Sequence, residues 1–180
     1  MRYWSFLLII CLCCNLSVAQ NDTSKTKPLY TQYPLPQFSI LLTDSATWYT
    51  KNDLPKKKKT IIMLFSPDCE HCKHETELIK KNIKQFSNAH LVMITTLPFD
   101  KMLEFYKDFE LQEFKNITVG RDTRFFFSSY FKIHYLPFLA IYDKKYKLLK
   151  TFEGAPKWED LMEYLQWQHS LPCIFWVFKI

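Results

Sequence analysis

The sequence predicts a single α/β domain in which a mixed sheet carries helices on both faces. Residues 60–65 form an apolar run of strand length, and apolar residues at helical spacing follow it, among them Ile79, Ile83 and Phe86. Further strand and helix candidates alternate along the chain, which ends with two strands joined by the turn 143–145 and a last helix. Alternating elements followed by an antiparallel pair are typical of a mixed sheet between helical layers.

Length and composition are those of one globular domain. The chain has 180 residues, of which 48% are hydrophobic, and this excludes a disordered protein. The net charge is +6, but no basic stripe is interleaved with aromatic residues, so we expect no nucleic-acid partner. The densest basic run, residues 56–59, is predicted to be a solvated loop before a buried strand, with an acidic partner or membrane surface as the alternative.

The N-terminus has the pattern of a secretory signal peptide. Arg2 is the only charge in the first twenty residues, residues 6–14 are apolar, and Ser17 and Ala19 are small residues at the expected cleavage site. We therefore predict a signal peptide over residues 1–19 and export to the periplasm or cell envelope. An uncleaved signal that anchors the chain is the alternative.

The remainder of the chain is predicted to be a linker followed by one domain. Residues 20–36 are polar and rich in proline, and the domain is predicted over residues 37–180. The apolar tail 171–180 is too short to span a bilayer and is predicted to pack back on the domain, with membrane-surface or partner contact as the alternative. Membrane contact would thus involve only this tail or an uncleaved signal.

Each element has a local signal in the sequence. Two short apolar segments around the turn 43–45 predict an N-terminal hairpin, and Asp100 and Asp122 are predicted N-caps of two helices. The predicted strands are 38–42, 48–50, 60–65, 90–96, 117–119, 138–142 and 146–152, and the predicted helices are 69–86, 99–109, 123–131 and 158–167.

Two cysteines lie where a strand ends and a helix begins. Removal of the signal leaves only Cys69, Cys72 and Cys173, too few for a disulfide-stapled scaffold of this size. The start of a helix favours a thiolate at Cys69, whereas Cys72 lies one turn further in and should be more buried. We predict a redox-active pair in which Cys69 attacks a partner disulfide and Cys72 resolves the mixed disulfide. Cys173 is predicted to be a buried free thiol, or to form an intermolecular disulfide.

The charged residues around this pair oppose one another. A charged His71 would stabilise a thiolate at Cys69, whereas Asp68 and Glu70 would disfavour it. Since the signs conflict, the sequence leaves the direction of electron flow open.

The combination of Cys69-Glu70-His71-Cys72 with a later Leu136-Pro137 before a strand resembles the thioredoxin fold. It is most similar to the extracytoplasmic TlpA/ResA-like thiol-disulfide oxidoreductases, over about residues 37–168. The resemblance implies a three-layer fold, here with an N-terminal β-hairpin extension. It also implies a cis Pro137 facing the dithiol, and a Leu136 backbone that pairs with substrate. Protein disulfides or dithiols would be the substrates, a redox partner would regenerate the dithiol, and no cofactor would be needed.

Glu75 extends the resemblance, because ResA-like proteins carry a glutamate three residues after the second cysteine. The implied role of Glu75 is to manage the proton of Cys72 or Cys69. The alternative is an exposed first-turn glutamate that the helix dipole favours.

The sequence also departs from the thioredoxin pattern. Asp68 replaces the tryptophan that usually precedes the first cysteine, and Met63 replaces a buried aspartate. A peroxidase would use a hydroxyl three residues before the cysteine, which Ser66 supplies, but Ile62 replaces the upstream proline of that motif. These departures argue against a general cytosolic thioredoxin and against a peroxidase.

A metal-binding or metal-delivery module is the alternative function. Cys69 and Cys72, with His71 or His74, are thiolate and imidazole ligands that suit zinc or copper(I). A closed site would need a second ligand pair, and none lies at motif spacing. We therefore predict no metal ligands.

Overall fold

A computed structural model of the protein describes residue 31 and residues 34–166. The predictions for the signal peptide, for Cys173 and for the apolar tail lie outside these residues. The elements are strands β1 (Ser39–Leu42), β2 (Trp48–Thr50), β3 (Lys59–Leu64), β4 (Ala89–Thr95), β5 (Ile117–Arg121), β6 (Phe138–Tyr142) and β7 (Leu148–Glu153), and helices α1 (Glu70–Lys81), α2 (Phe99–Asp108), α3 (Phe126–Phe131) and α4 (Trp158–Gln166).

One mixed sheet joins all seven strands, in the order β2-β1-β5-β4-β3-β6-β7. The central strands β3, β4 and β5 are parallel, and β6 and β7 form an antiparallel pair beside β3. The β1–β2 hairpin adds to the other side through β5, which confirms the predicted N-terminal extension. Every residue of β3 and β4 is buried, as expected of strands covered on both faces.

Helices cover both faces of the sheet, which confirms the predicted fold class. Because side chains alternate along a strand, Ile61 and Met63 of β3 point to one face and Ile62 to the other. Helices α1, α2 and α4 pack on the first face, with Met102 of α2 in the same core. Helix α3 packs on the second face, where Phe127 lies in the core with Ile62.

The N-cap of α2 and the start of α3 differ from the prediction, whereas α2 begins at Phe99 as predicted. Pro98, not Asp100, is the N-cap of α2, and Asp100 lies in its first turn. Helix α3 begins at Phe126 rather than at residue 123, after Phe125 in the left-handed region at φ +56°. The buried Asp122 carboxylate nevertheless accepts hydrogen bonds from the N–H groups of Arg124 (3.1 Å) and Phe127 (2.9 Å). It therefore fixes the start of α3 through a longer turn than a simple N-cap.

The predicted helix 69–86 is divided in two. Helix α1 ends at Lys81, and a short 3-10 helix follows over Ile83–Phe86. The Asn82 side chain donates a hydrogen bond of 2.9 Å to the Leu78 carbonyl oxygen, an arrangement by which a polar side chain competes with the helical backbone pattern. Apolar spacing continues across the break because both pieces face the same core.

Lys59 is buried, so the prediction of a solvated loop over residues 56–59 is wrong at its last residue. Lys59 is the first residue of β3, and its ammonium donates to the carbonyl oxygens of Tyr164 (2.5 Å) and Leu165 (3.1 Å). These carbonyls lie in the last turn of α4, where cations are favourable. Burial lowers the pKa of Lys59.

We expect Lys59→Met to lower the free energy of unfolding by about 1–2 kcal/mol, because the α4 carbonyls lose a charged donor while the apolar stem is retained. Urea unfolding at neutral pH measures this change. The exposed Lys56 supplies the control, since Lys56→Met should stay within about 0.5 kcal/mol. Equal effects of the two substitutions would show that the contacts of Lys59 contribute nothing.

Candidate active site

The two cysteines lie at the junction of β3 and α1. Cys69 is the N-cap of α1, and its N–H donates to the Ser66 carbonyl oxygen at 3.1 Å. The Cys72 N–H in turn donates to the Cys69 carbonyl oxygen at 3.0 Å. Both are free thiols, but Cys69 is half-buried whereas Cys72 is fully buried. Cys69 is thus the sulfur that a partner can reach.

Burial gives Cys72 a strongly perturbed acidity. Desolvation raises the pKa of Cys72 to about 12, and the nearby Cys69 and Glu75 act in the same direction, against a hydrogen bond with the Ser66 backbone. A thiol with this pKa is protonated at neutral pH, so it needs a base before it can act as a nucleophile.

Glu75 lies one turn after Cys72 in α1, and it is 1% exposed. Its Oε1 atom has no hydrogen-bond partner among the described residues. Burial raises the pKa of Glu75 to about 7. The alternative of an exposed first-turn glutamate is therefore wrong. A carboxyl group with a pKa near neutrality can both take up and release a proton under physiological conditions.

Leu136 and Pro137 lie beside the dithiol. The Leu136–Pro137 peptide bond is cis, as the resemblance implies, and the Cys69 Sγ atom lies 4.0 Å from the Leu136 carbonyl oxygen. Pro137 directly precedes β6, which pairs with β3. The sheet thus brings two segments that are far apart in sequence to one edge.

The three residues expected to tune the pair are exposed around Cys69. Asp68 and Glu70 each lie near a lysine, and the sequence analysis did not predict either contact. The Glu70 Oε1 atom is 2.7 Å from Lys73 Nζ, and the Asp68 Oδ1 atom is 3.9 Å from Lys101 Nζ. These lysines offset part of the negative charge beside the dithiol, although exposed pairs of this kind are weak. His71 is also exposed, so solvent screens its charge.

A further acidic residue near the site was not indicated by the sequence. Glu153, the last residue of β7, accepts hydrogen bonds from the backbone N–H groups of His134 and Tyr135, just before Leu136. Residues 134 and 153 are far apart in sequence, and no local pattern could have shown this contact.

The metal-binding alternative requires more ligands than the two cysteines. In the part of the chain that the structure describes, no three His, Cys, Asp or Glu side chains come together to hold a metal ion. Neither does any described helix have the length and apolar character needed to cross a membrane.

Comparison with known proteins shows the fold. No protein-family profile and no curated protein sequence matches the chain. A candidate thioredoxin from Neisseria meningitidis is 24% identical with a TM-score of 0.61, over 73% of this chain and 86% of that one. A secreted disulfide oxidoreductase from Mycobacterium tuberculosis is 16% identical with a TM-score of 0.60, over 72% and 95%. Peroxidoxin BcpB from the same organism is 15% identical with a TM-score of 0.62, over 74% and 94%. At these identities the likeness is one of architecture, and the chain has the thioredoxin-like fold.

Proposed function

We propose that the chain is an extracytoplasmic thiol-disulfide oxidoreductase that exchanges disulfides with protein partners through Cys69 and Cys72. The observation that carries this proposal is the asymmetry of the pair. The half-exposed Cys69 lies at the start of α1, and the buried Cys72 lies one turn further in. One sulfur can thus meet a partner while the other remains inside to complete the exchange.

Two displacements complete the exchange. In the first, the Cys69 thiolate attacks one sulfur of a partner disulfide, so that a mixed disulfide forms and the other partner sulfur leaves as a thiolate. In the second, Cys72 loses its proton and attacks the Cys69 sulfur, which releases the second partner sulfur. The partner gains two electrons and two protons, and the chain is left with a Cys69–Cys72 disulfide. A dithiol protein must then reduce it, and the same steps in reverse oxidise a partner.

Glu75 is proposed to accept the proton that Cys72 must lose in the second step. The carboxylate is buried on the same helix, and its charge adds to the effect of burial, which is the main cause of the raised pKa of Cys72. Since the pKa of Glu75 is about 7, the carboxylate is available at neutral pH, and it can release the proton after each exchange.

The backbone of Leu136 is proposed to pair with an extended segment of the partner next to its disulfide. The Leu136 N–H makes no hydrogen bond with another described residue, and its carbonyl oxygen faces Cys69. A partner strand that pairs here would bring its own cysteine to the Cys69 sulfur, which is the geometry of strand addition. Pro137 holds the turn that presents this edge.

Export is part of the proposal because residues 1–19 have the pattern of a signal peptide. The disulfide oxidoreductase from Mycobacterium tuberculosis that the fold resembles is a secreted protein, which agrees with a location outside the cytoplasm. An oxidising compartment is where protein disulfides form and need rearrangement.

The purified, metal-free chain tests the proposed function. We expect the reduced chain to reduce one disulfide per molecule of a disulfide-bonded peptide, and its own Cys69–Cys72 disulfide to form in equal amount, as thiol counting and mass spectrometry would show. A chain that reacts with hydrogen peroxide but with no disulfide would contradict the proposal. So would a chain that reacts only after zinc or copper(I) is added.

A further inference from the structure

We infer that Glu153 is a positioning residue that holds the segment 134–136 in place for binding a polypeptide substrate. The inference rests on the proposed function, and it adds a residue on a distant strand to the machinery that recognises partners. Glu153 contacts the backbone of His134 and Tyr135, not the reacting sulfur atoms. It therefore acts on exchange only by positioning the Leu136 backbone that follows them.

The end of β7 holds the segment on both sides of Leu136. The Glu153 Oε1 atom accepts hydrogen bonds from the N–H groups of His134 and of Tyr135, the latter at 2.9 Å. The next residue, Gly154, donates its N–H to the Pro137 carbonyl oxygen at 2.9 Å. The backbone pairing of Glu153 with Phe138 in the sheet fixes the position of the carboxylate.

Side-chain packing fixes this segment at Leu136, which is partly buried against both hydrophobic cores, but not at the two residues before it. His134 and Tyr135 are exposed, Tyr135 by 71% of its surface, so their side chains contribute little packing. The segment lies between the end of α3, where Lys132 has φ +53°, and the start of β6. Two N–H groups on one carboxylate oxygen are charge-assisted hydrogen bonds, which are stronger than those to a neutral acceptor. The carboxylate therefore orders the backbone of His134 and Tyr135, which a partner strand would otherwise have to order on binding.

Two matched variants distinguish the effect of the hydrogen-bond acceptor from the effect of side-chain size. Glu153→Met removes the acceptor and keeps the length, whereas Glu153→Gln keeps a neutral acceptor. With a synthetic peptide closed by one disulfide, we expect Glu153→Met to raise KM about tenfold with little change in kcat. The KM of Glu153→Gln should lie close to that of the wild type. With hydroxyethyl disulfide, which has no peptide backbone, both variants should match the wild type within about twofold. Glu163→Gln on α4, also exposed, controls for the loss of charge.

Amide hydrogen exchange gives a readout that is independent of activity. We expect the His134 and Tyr135 amides to exchange at least about tenfold faster in Glu153→Met, and the β3 amides to be unchanged. An unchanged peptide KM, or an equal loss with both disulfides, overturns the inference and leaves the proposed function intact. If Glu153→Met does not fold, Glu153→Ala, which also removes the acceptor, takes its place. A peptide KM and segment amide exchange in Glu153→Ala equal to those of Glu163→Gln would overturn the inference. A wild-type chain that exchanges neither disulfide overturns the proposed function and this inference with it.

Discussion

Replacing Cys69 with serine is expected to lower the rate of disulfide exchange by more than about 1,000-fold, because a hydroxyl group cannot form the mixed disulfide. Cys72 cannot take over, since it is fully buried and burial raises its pKa to about 12. The rate of reduction of a disulfide-bonded peptide at pH 7 measures the loss.

The matched control for this substitution is Cys173→Ser, which removes the only other cysteine outside residues 1–19. Its rate should equal that of the wild type. Substantial exchange by Cys69→Ser would show that Cys72 is the attacking sulfur, and would reverse the roles assigned to the pair.

Glu75→Gln is expected to have the second-largest effect, and it acts on both exchange and stability. Without the carboxylate, no buried base takes the proton of Cys72, so resolution of the mixed disulfide should slow by about 10- to 100-fold. Glu77 lies exposed on the same helix, and Glu77→Gln should leave the rate unchanged. Rapid-quench measurement of the mixed disulfide separates this step from the first attack. Equal rates in the two variants would exclude Glu75 as the proton acceptor.

The stability effect of Glu75 has a defined sign. The folded-state pKa of about 7 lies above the ordinary value of 4.5, so folding favours the protonated form. The resulting stabilisation is complete below pH 4.5 and is lost as the pH rises through 7. Above pH 7 we therefore expect Glu75→Gln to be more stable than the wild type by about 2–3 kcal/mol in urea unfolding. Equal stability of the two proteins at pH 8 would show that the carboxylate carries no burial penalty.

His90 must be considered in the same pH range. It is buried between Tyr49 and Thr118, with its Nε2 atom 3.3 Å and 2.9 Å from their hydroxyl oxygens, and burial lowers its pKa to about 4. Its stabilising effect is present above pH 6.5 and is lost as the pH falls through 4. Between about pH 4.5 and 6.5 the two groups oppose each other in the wild type, so Glu75→Gln should show a stability that rises with pH there.

The site could be predicted from sequence where its signals are local. The apolar run of β3 followed directly by Cys69 and Cys72 indicates a strand, a turn and a helix start, and the structure has all three within a residue of the predicted positions. The position of Leu136 could be inferred only from the resemblance, because the sheet that brings it to Cys69 joins distant segments.

Three residues were misread or missed for one physical reason, which is that tertiary contacts override local preference. Lys59 reads as part of a charged loop, but the carbonyls at the end of α4 provide partners for its ammonium inside the fold. Glu75 could be read as an exposed residue or a buried one until the helix face was known. Glu153 has no local signal at all, since its partners are two backbone amides on another segment.

Trapping with Cys72→Ser tests whether Cys69 attacks the partner disulfide and Cys72 resolves the mixed disulfide. A variant that can attack but not resolve should accumulate a mixed disulfide with a disulfide-bonded peptide, and mass spectrometry should locate the peptide on Cys69. We expect one peptide per chain in Cys72→Ser and none when Cys69 is also replaced. An adduct that persists in the absence of Cys69, or a Cys72→Ser variant that forms none, would contradict these roles.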